Sequence, residues 1–187
     1  MWPLLLCSVV TVAVVVERIL FLLGETKKRA PQTVRAVLDA VAAGRPDEAR
    51  RLGAGSPDPV ARVLDSALAH PGKQLEPAIL QASAAELDRY NRGLTVLDTV
   101  VTLAPLLGLM GTVTGMIRTF GLLGGSELGA PQEVTGGIAE ALIATAFGLG
   151  IAIAALVPLN FLHARLEKAR RDIESAATQL DLHLRRP

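Results

Sequence analysis

Charge is missing from three long stretches of this chain and dense between them, and that segregation decides what it can fold into. Ala141 to Leu162 carries no Lys, Arg, Asp or Glu, and neither does Thr99 to Ile117. Met1 to Val16 is likewise uncharged, and after Glu17-Arg18 the apolar run resumes through Ile19 to Leu23. A bilayer core of about 30 Å needs roughly 20 apolar residues in helical form, so the pattern argues against one water-soluble core. Half of the 187 residues are apolar and the net charge is only +1, with no basic run to meet nucleic acid. Cys7 is the single cysteine, which excludes an internal disulfide and leaves it a small hydrophobe in the first apolar block. His70, His163 and His183 show no metal-ligand spacing. No nucleophile–base set or phosphate-cradling loop is visible, so the sequence does not read as an enzyme and implies no cofactor.

The first block reads as an uncleaved membrane helix. A signal peptide fits less well, because no basic segment precedes the apolar run and no small-x-small cleavage site follows it. The chain therefore divides into transmembrane helix 1 (1–23), a helical domain (24–98), transmembrane helix 2 (99–123), a connecting loop (124–133), transmembrane helix 3 (134–162) and a C-terminal helix (163–187). Eleven Lys and Arg fall in Gly24–Asp98 and six in His163–Pro187, against none in Thr119–Glu133; Arg118 sits at that boundary. The positive-inside rule places the basic segments in the cytoplasm, and the N-terminus and short loop outside, in the periplasm.

Between the spans the pattern is helical, with no β alternation anywhere. Val34, Val37, Leu38 and Val41 are spaced for one helix face after Pro31. Gly44-Arg45-Pro46-Asp47 ends that helix and starts another, Gly53 to Pro59 is a loop, and Val60–Ala69 repeats the pattern. From Leu75 the repeat of Leu80, Ala84, Leu87, Leu94 and Leu97 meets no strong breaker. One helix over 75–123 would be about 70 Å long. In the tail, Leu162, Leu166, Ile173, Ala177, Leu180 and Leu184 form a stripe opposed by Arg165, Lys168, Arg170, Arg171 and Glu174. That charged face is either simply solvated or a lipid-headgroup surface. The predicted fold is all-α, with three membrane helices and long cytoplasmic helical extensions, two of them forming a stalk.

Glu140 is the exception within the third apolar block. A charge at the centre of a membrane helix costs roughly 2.5–3.5 kcal/mol even on the mildest scale. At about 100° per residue, Gly137, Ala141, Ala144, Gly148, Ala152 and Ala155 share one stripe suited to close helix packing, with Glu140 and Thr145 bordering it about 140° apart. Glu140 either faces a proton or ion path or snorkels at the outer end of the span. The second block offers a partner surface. Pro105 should kink or loosen its helix, Gly108, Gly111 and Gly115 allow close approach, and Gly111/Gly115 form a GxxxG pair. Thr112 and Thr145 either bond back to their own helices or line a polar path.

The block Ala104-Pro105-Leu106-Leu107-Gly108-Leu109-Met110-Gly111-Thr112-Val113-Thr114-Gly115-Met116, followed by Gly137-Ile138-Ala139-Glu140-Ala141-Leu142-Ile143-Ala144-Thr145-Ala146, resembles the MotA/TolQ/ExbB proton-channel family. Met1 to Ser8, with Glu17-Arg18, is similar to the first span of ExbB-type members; the sequence starts almost at that span, where some members carry a periplasmic extension, and either a preceding segment is absent or the start is misplaced. Three spans match ExbB and TolQ, where MotA-type stators have four. The resemblance implies a homopentamer in the bacterial inner membrane, in contact with membrane lipids, around a dimer of a single-span ExbD- or TolR-like partner. It maps the family's intramembrane glutamate onto Glu140 and its two polar threonines onto Thr112 and Thr145. It implies proton conduction that energises outer-membrane transport through a TonB-like transducer. The alternatives are a TolQ-like role in Tol-Pal envelope maintenance and a non-conducting membrane scaffold.

Overall fold

The computed structural model describes residues 2–70, 72–123 and 131–184. Every regular element among them is helical: α1 (Trp2–Lys28), α2 (Pro31–Ala42), α3 (Pro46–Gly53), α4 (Pro59–Leu68), a 3₁₀ turn (Gly72–Gln74), α5 (Leu75–Asn91), α6 (Leu94–Leu123) and α7 (Pro131–Leu184). Helices α1, α6 and α7 each hold a stretch long and apolar enough to cross a membrane. Most of the predicted connecting loop, 124–130, lies outside the described residues, and Pro131 already belongs to α7.

The chain divides into two compact units. One joins Met1–Arg18 to Gly93–Phe161, and the other joins Ile19–Arg92 to Leu162–Pro187. In the second unit, proline opens each short helix: Pro31, Pro46 and Pro59 occupy first-turn positions, where the missing N–H has no intrahelical partner to lose. Asp58 caps α4, its Oδ1 accepting from the Val60 N–H at 2.8 Å. Its Oδ2 accepts from the Ala30 N–H at 2.6 Å, so one buried carboxylate secures the starts of both α2 and α4. Val37, Leu38 and Val41 of α2, Val63, Leu64 and Leu68 of α4, Leu75 of α5, and Ile173 and Leu180 of α7 close a continuous aliphatic core. The apolar stripe of the tail is thus buried at Leu162, Ile173, Ala177 and Leu180 and half-buried at Leu166, while Leu184 is exposed.

A ladder of ion pairs runs across this unit. Glu86 takes a two-pronged contact from Arg62 at 2.8 and 2.6 Å and a third bond from Arg89 at 3.2 Å. Arg89 also reaches Glu25 Oε1 at 3.4 Å, where Lys28 donates at 2.9 Å. The Glu86 contact raises the affinity of the Arg62 guanidinium for its proton, against the burial that opposes it.

One sequence expectation fails. The stretch 75–123 is two helices, because α5 ends at Asn91 and α6 starts at Leu94. Gly93 between them has φ +75°, the left-handed conformation that ends helices and that glycine adopts without a Cβ penalty. A Cβ on Gly93 would also sit 3.0 Å from the Val14 side chain and 3.4 Å from that of Arg18. The break therefore lies where α1 passes close by. Pro105, in contrast, does not end its helix: α6 continues on both sides of it, as α7 does around Pro158.

Candidate functional site

In the first unit, α6 and α7 meet along glycines and alanines. A Cβ on Gly148 would lie 2.6 Å from the Ala104 carbonyl oxygen and 3.0 Å from Gly108 Cα. One on Gly108 would lie 3.0 Å from Thr145 Cα and from the Ala144 carbonyl oxygen. Further along, Gly111 faces the Ala144 methyl (2.7 Å from an added Cβ) and Gly115 faces that of Ala141 (2.8 Å). Such distances leave no room for any side chain without moving backbone. Gly137 continues the seam against the Thr119 hydroxyl, which donates to the Gly115 carbonyl at 2.9 Å. Nearer the other end, Cys7 of α1 packs with Val100, Ala104 and Ala155.

The three polar residues singled out in the sequence are not brought together within one chain. Thr145 donates its hydroxyl across the seam to the Gly108 carbonyl at 3.0 Å. It thus does not bond back to its own helix but makes an interhelical bond, of the kind worth about 0.6–2 kcal/mol in a membrane protein. Thr112 bonds back to the Leu109 carbonyl of its own helix at 2.7 Å and lines a shallow apolar depression with Val113, Met116, Ile117 and Phe120. Glu140 stands apart from both and is exposed.

Glu140 opens onto a groove of about 520 Å³ between α6 and α7. Small residues of the seam form its floor, and Thr114, Arg118 and Thr119 of α6 supply its remaining polar lining. The Thr114 hydroxyl is returned to its own backbone, to Met110 at 2.8 Å. Arg118 and Glu140 are therefore the two charged groups of the groove. Reading α6 for its glycines alone missed Arg118, but the spacing 111, 115, 118 places it on the face of Gly111 and Gly115. What the site offers is a carboxylate and a guanidinium at the mouth of a small-residue groove, on a helix pair whose outer surface is apolar. Leu106, Leu109, Val113 and Ile117 of α6 and Leu142, Phe147 and Ile153 of α7 are all exposed. Among the described residues no group of acidic, histidine or cysteine side chains is arranged to hold a metal ion.

The seam and its glutamate fall within a recognised sequence family. Residues 56–175 match the model of the MotA/TolQ/ExbB proton channel family. ExbB-like protein 3 of Synechocystis sp. is 33% identical over 98% of this chain and 90% of its own length. The biopolymer transport protein ExbB of Neisseria gonorrhoeae is 36% identical over 57% of this chain and 48% of its own. The Tol-Pal system protein TolQ of Haemophilus influenzae is 40% identical over 46% of this chain and 38% of its own. With three apolar helices, this is a multi-pass membrane protein, and the chain belongs to the MotA/TolQ/ExbB proton channel family.

Proposed function

We propose that this chain is a proton-conducting motor subunit of a bacterial inner membrane, working as a homopentamer around a dimer of an ExbD-like single-span protein. The observation that carries this reading is the exposure of Glu140 at the start of a stretch of α7 otherwise clothed in apolar and small side chains. Against lipid that charge costs several kcal/mol. Against water, a neighbouring subunit or a partner helix it does not. The groove beside it, open and floored by glycine and alanine, suits the approach of another helix and an aqueous file. Protons descending the gradient would protonate an acidic residue of the partner in the pore, with Glu140 supplying field or a hydrogen bond beside the path. The Thr112 and Thr145 hydroxyls would contribute to that path once neighbouring subunits are in place. Pro105, Gly108, Gly111, Gly115, Gly137, Ala141, Ala144 and Gly148 would keep α6 and α7 in register. Each charge crossing is worth about 2.3 kcal/mol per 100 mV, so a few crossings suffice to move a packed two-state element. The N-terminus would face the periplasm and the C-terminus the cytoplasm, and the output would be TonB-dependent transport across the outer membrane.

The likeness to TolQ favours a second reading, in which the same motor serves Tol-Pal envelope maintenance. Deleting the gene separates them: lost siderophore uptake supports the first, and detergent sensitivity with faulty constriction the second. The motor itself is tested by reconstituting the chain with its single-span partner in liposomes under an imposed proton gradient. Flux should fall at least about tenfold for Glu140→Ala and more modestly for Thr145→Ala. Flux unchanged by both removes these side chains from the path, and absence of flux in the parent complex leaves a non-conducting scaffold.

A further inference from the structure

Arg118 is a charge that the glutamate groove does not itself satisfy. Across the seam Gly115 meets Ala141 and Gly137 meets Thr119, so turn 115–119 of α6 lies beside turn 137–141 of α7. Arg118 belongs to the first of these turns and Glu140 to the second. The two charges therefore stand at one level of the helix pair, and both line the same groove. Both residues are exposed. Among the described residues neither side chain has an ion pair or a hydrogen bond. Thr114 and Thr119 do not answer the carboxylate, because their hydroxyl protons go to the Met110 and Gly115 carbonyls. Ionised groups at membrane depth pair with one another or face a bundle interior or water, so this pair needs counter-charges from outside the chain.

The rim of the groove carries a second mark of an outside partner. Gly136 is exposed there, and a Cβ added to it would meet nothing within 4 Å. Glycine inside a helix is a conformational cost, and no contact within the chain requires it at 136. Open space above a glycine on a membrane helix fits the close approach of a helix from another chain.

A second copy has the matching chemistry. Copies arranged around an axis normal to the membrane keep each residue at its own depth, and the contact between neighbours joins two different faces. Residues that share a level in one copy then meet that level in the next. A ring that draws Glu140 carboxylates together gathers like charges, which is unfavourable unless cations stand between them. Arg118 is the cation that lines the groove at that level.

We propose that Arg118 of one copy pairs with Glu140 of the next, so that a second copy of this chain completes the groove. The inference rests on the ring of copies proposed above and makes Arg118 a positioning residue, holding Glu140 at the boundary between subunits.

Energy transfer between labelled copies of the full chain, diluted with lipid in vesicles, measures the affinity of copy for copy. Arg118→Glu alone and Glu140→Arg alone should each weaken it by at least about tenfold, since each sets like charges together. Mixed, the two variants should associate with each other to within about threefold of the parent, because each supplies the charge the other lacks. Pairing within one chain cannot give that rescue, since each variant still carries two like charges. Where a reversal fails to insert, Arg118→Gln and Glu140→Gln take its place: the double variant should associate no more weakly than either single one. Inserted reversals that change nothing, or that fail to rescue each other, overturn the pairing and leave the ring standing, as do additive losses in the glutamine series. A parent chain that does not self-associate in vesicles, with or without its single-span partner, overturns the ring and the pairing together.

Discussion

The two units of this chain are both helical, yet they are held together by opposite means. In the unit of Ile19–Arg92 and Leu162–Pro187, large aliphatic side chains are inside: Leu64, Ile173 and Leu180 are at most 1% exposed, and the charges sit around them in pairs. In the unit of Met1–Arg18 and Gly93–Phe161 the seam between α6 and α7 is made of alanine and glycine, and most of the large side chains flanking it, such as Leu106, Leu109, Leu142 and Phe147, point outward, although Leu94, Leu97 and Leu159 are buried. Water explains the first arrangement, since burying apolar area is the main driving force there. Lipid explains the second. A leucine gains little by leaving hydrocarbon for protein, so association depends on close backbone approach and interhelical hydrogen bonds. Removing volume should therefore damage one unit, and adding it should damage the other.

Leu64→Ala tests the first half of that contrast with the largest expected effect. Its side chain is fully buried among α2, α4 and α7, so truncation should cost about 2–5 kcal/mol. Hydrogen exchange in peptides covering α4 should rise accordingly, while exchange in α6 stays as it was. Gly148→Val tests the second half. The added Cβ would fall 2.6 Å from the Ala104 carbonyl oxygen, which is backbone and cannot rotate away. Overpacking of this kind costs about 1–3 kcal/mol, read as an earlier melt in detergent and faster exchange in α6 and α7. A valine tolerated at 148 would sink the view of this seam as a close-packed contact.

The spans were legible in the sequence because membrane-crossing helices impose a crude requirement, some twenty predominantly apolar residues, that three blocks meet, the first of them around Glu17-Arg18. The small-residue stripe was legible for a similar reason, helical period being readable from spacing alone. The break at Gly93 was not. The repeat of leucines runs through it unaltered, and only the left-handed turn against Val14 and Arg18 shows why a glycine stands there. A cavity beside Glu25 in the other unit was equally hidden. Its wall joins Leu22, Glu25 and Thr26 of α1, Tyr90 of α5 and Asp172 of α7, and no local pattern announces such a meeting. At Glu140 the sequence identified the residue but not its surroundings, since Arg118 and Thr114 reach the groove only through the crossing of α6 and α7.

Asp58 sharpens the comparison at an intermediate size. In the water-facing unit a single polar side chain does what backbone proximity does in the other. It bonds the Val60 and Ala30 amides and lies near Arg29. Asp58→Ala removes a helix cap and strands the Ala30 amide, so a loss of about 1–2 kcal/mol is expected. Asp58→Asn keeps the oxygen that accepts from Val60 and should recover part of it. Urea unfolding of the pair in detergent, followed through the Tyr90 signal, measures both, and equal stability of the two variants would remove the cap from the account.

The smallest expected effect is the most pointed test of what surrounds the membrane unit. Leu142 is 62% exposed on α7, on the face away from the seam. Were that face in water, an exposed leucine would be nearly neutral to remove; in lipid it should be neutral too, within about 0.5 kcal/mol. Truncation alone therefore cannot distinguish the two settings, but a charge can. Leu142→Lys should be silent on a wet face and cost roughly 2.5–3.5 kcal/mol on a lipid face, whereas Leu142→Ala stays near zero on either. The difference between the two substitutions, measured as yield of membrane-inserted chain, isolates solvent from packing. If lysine is accepted at 142 as readily as alanine, that face meets water or a hydrated groove between subunits, and the division into a lipid-bound seam and a water-bound core would have to be redrawn around α7.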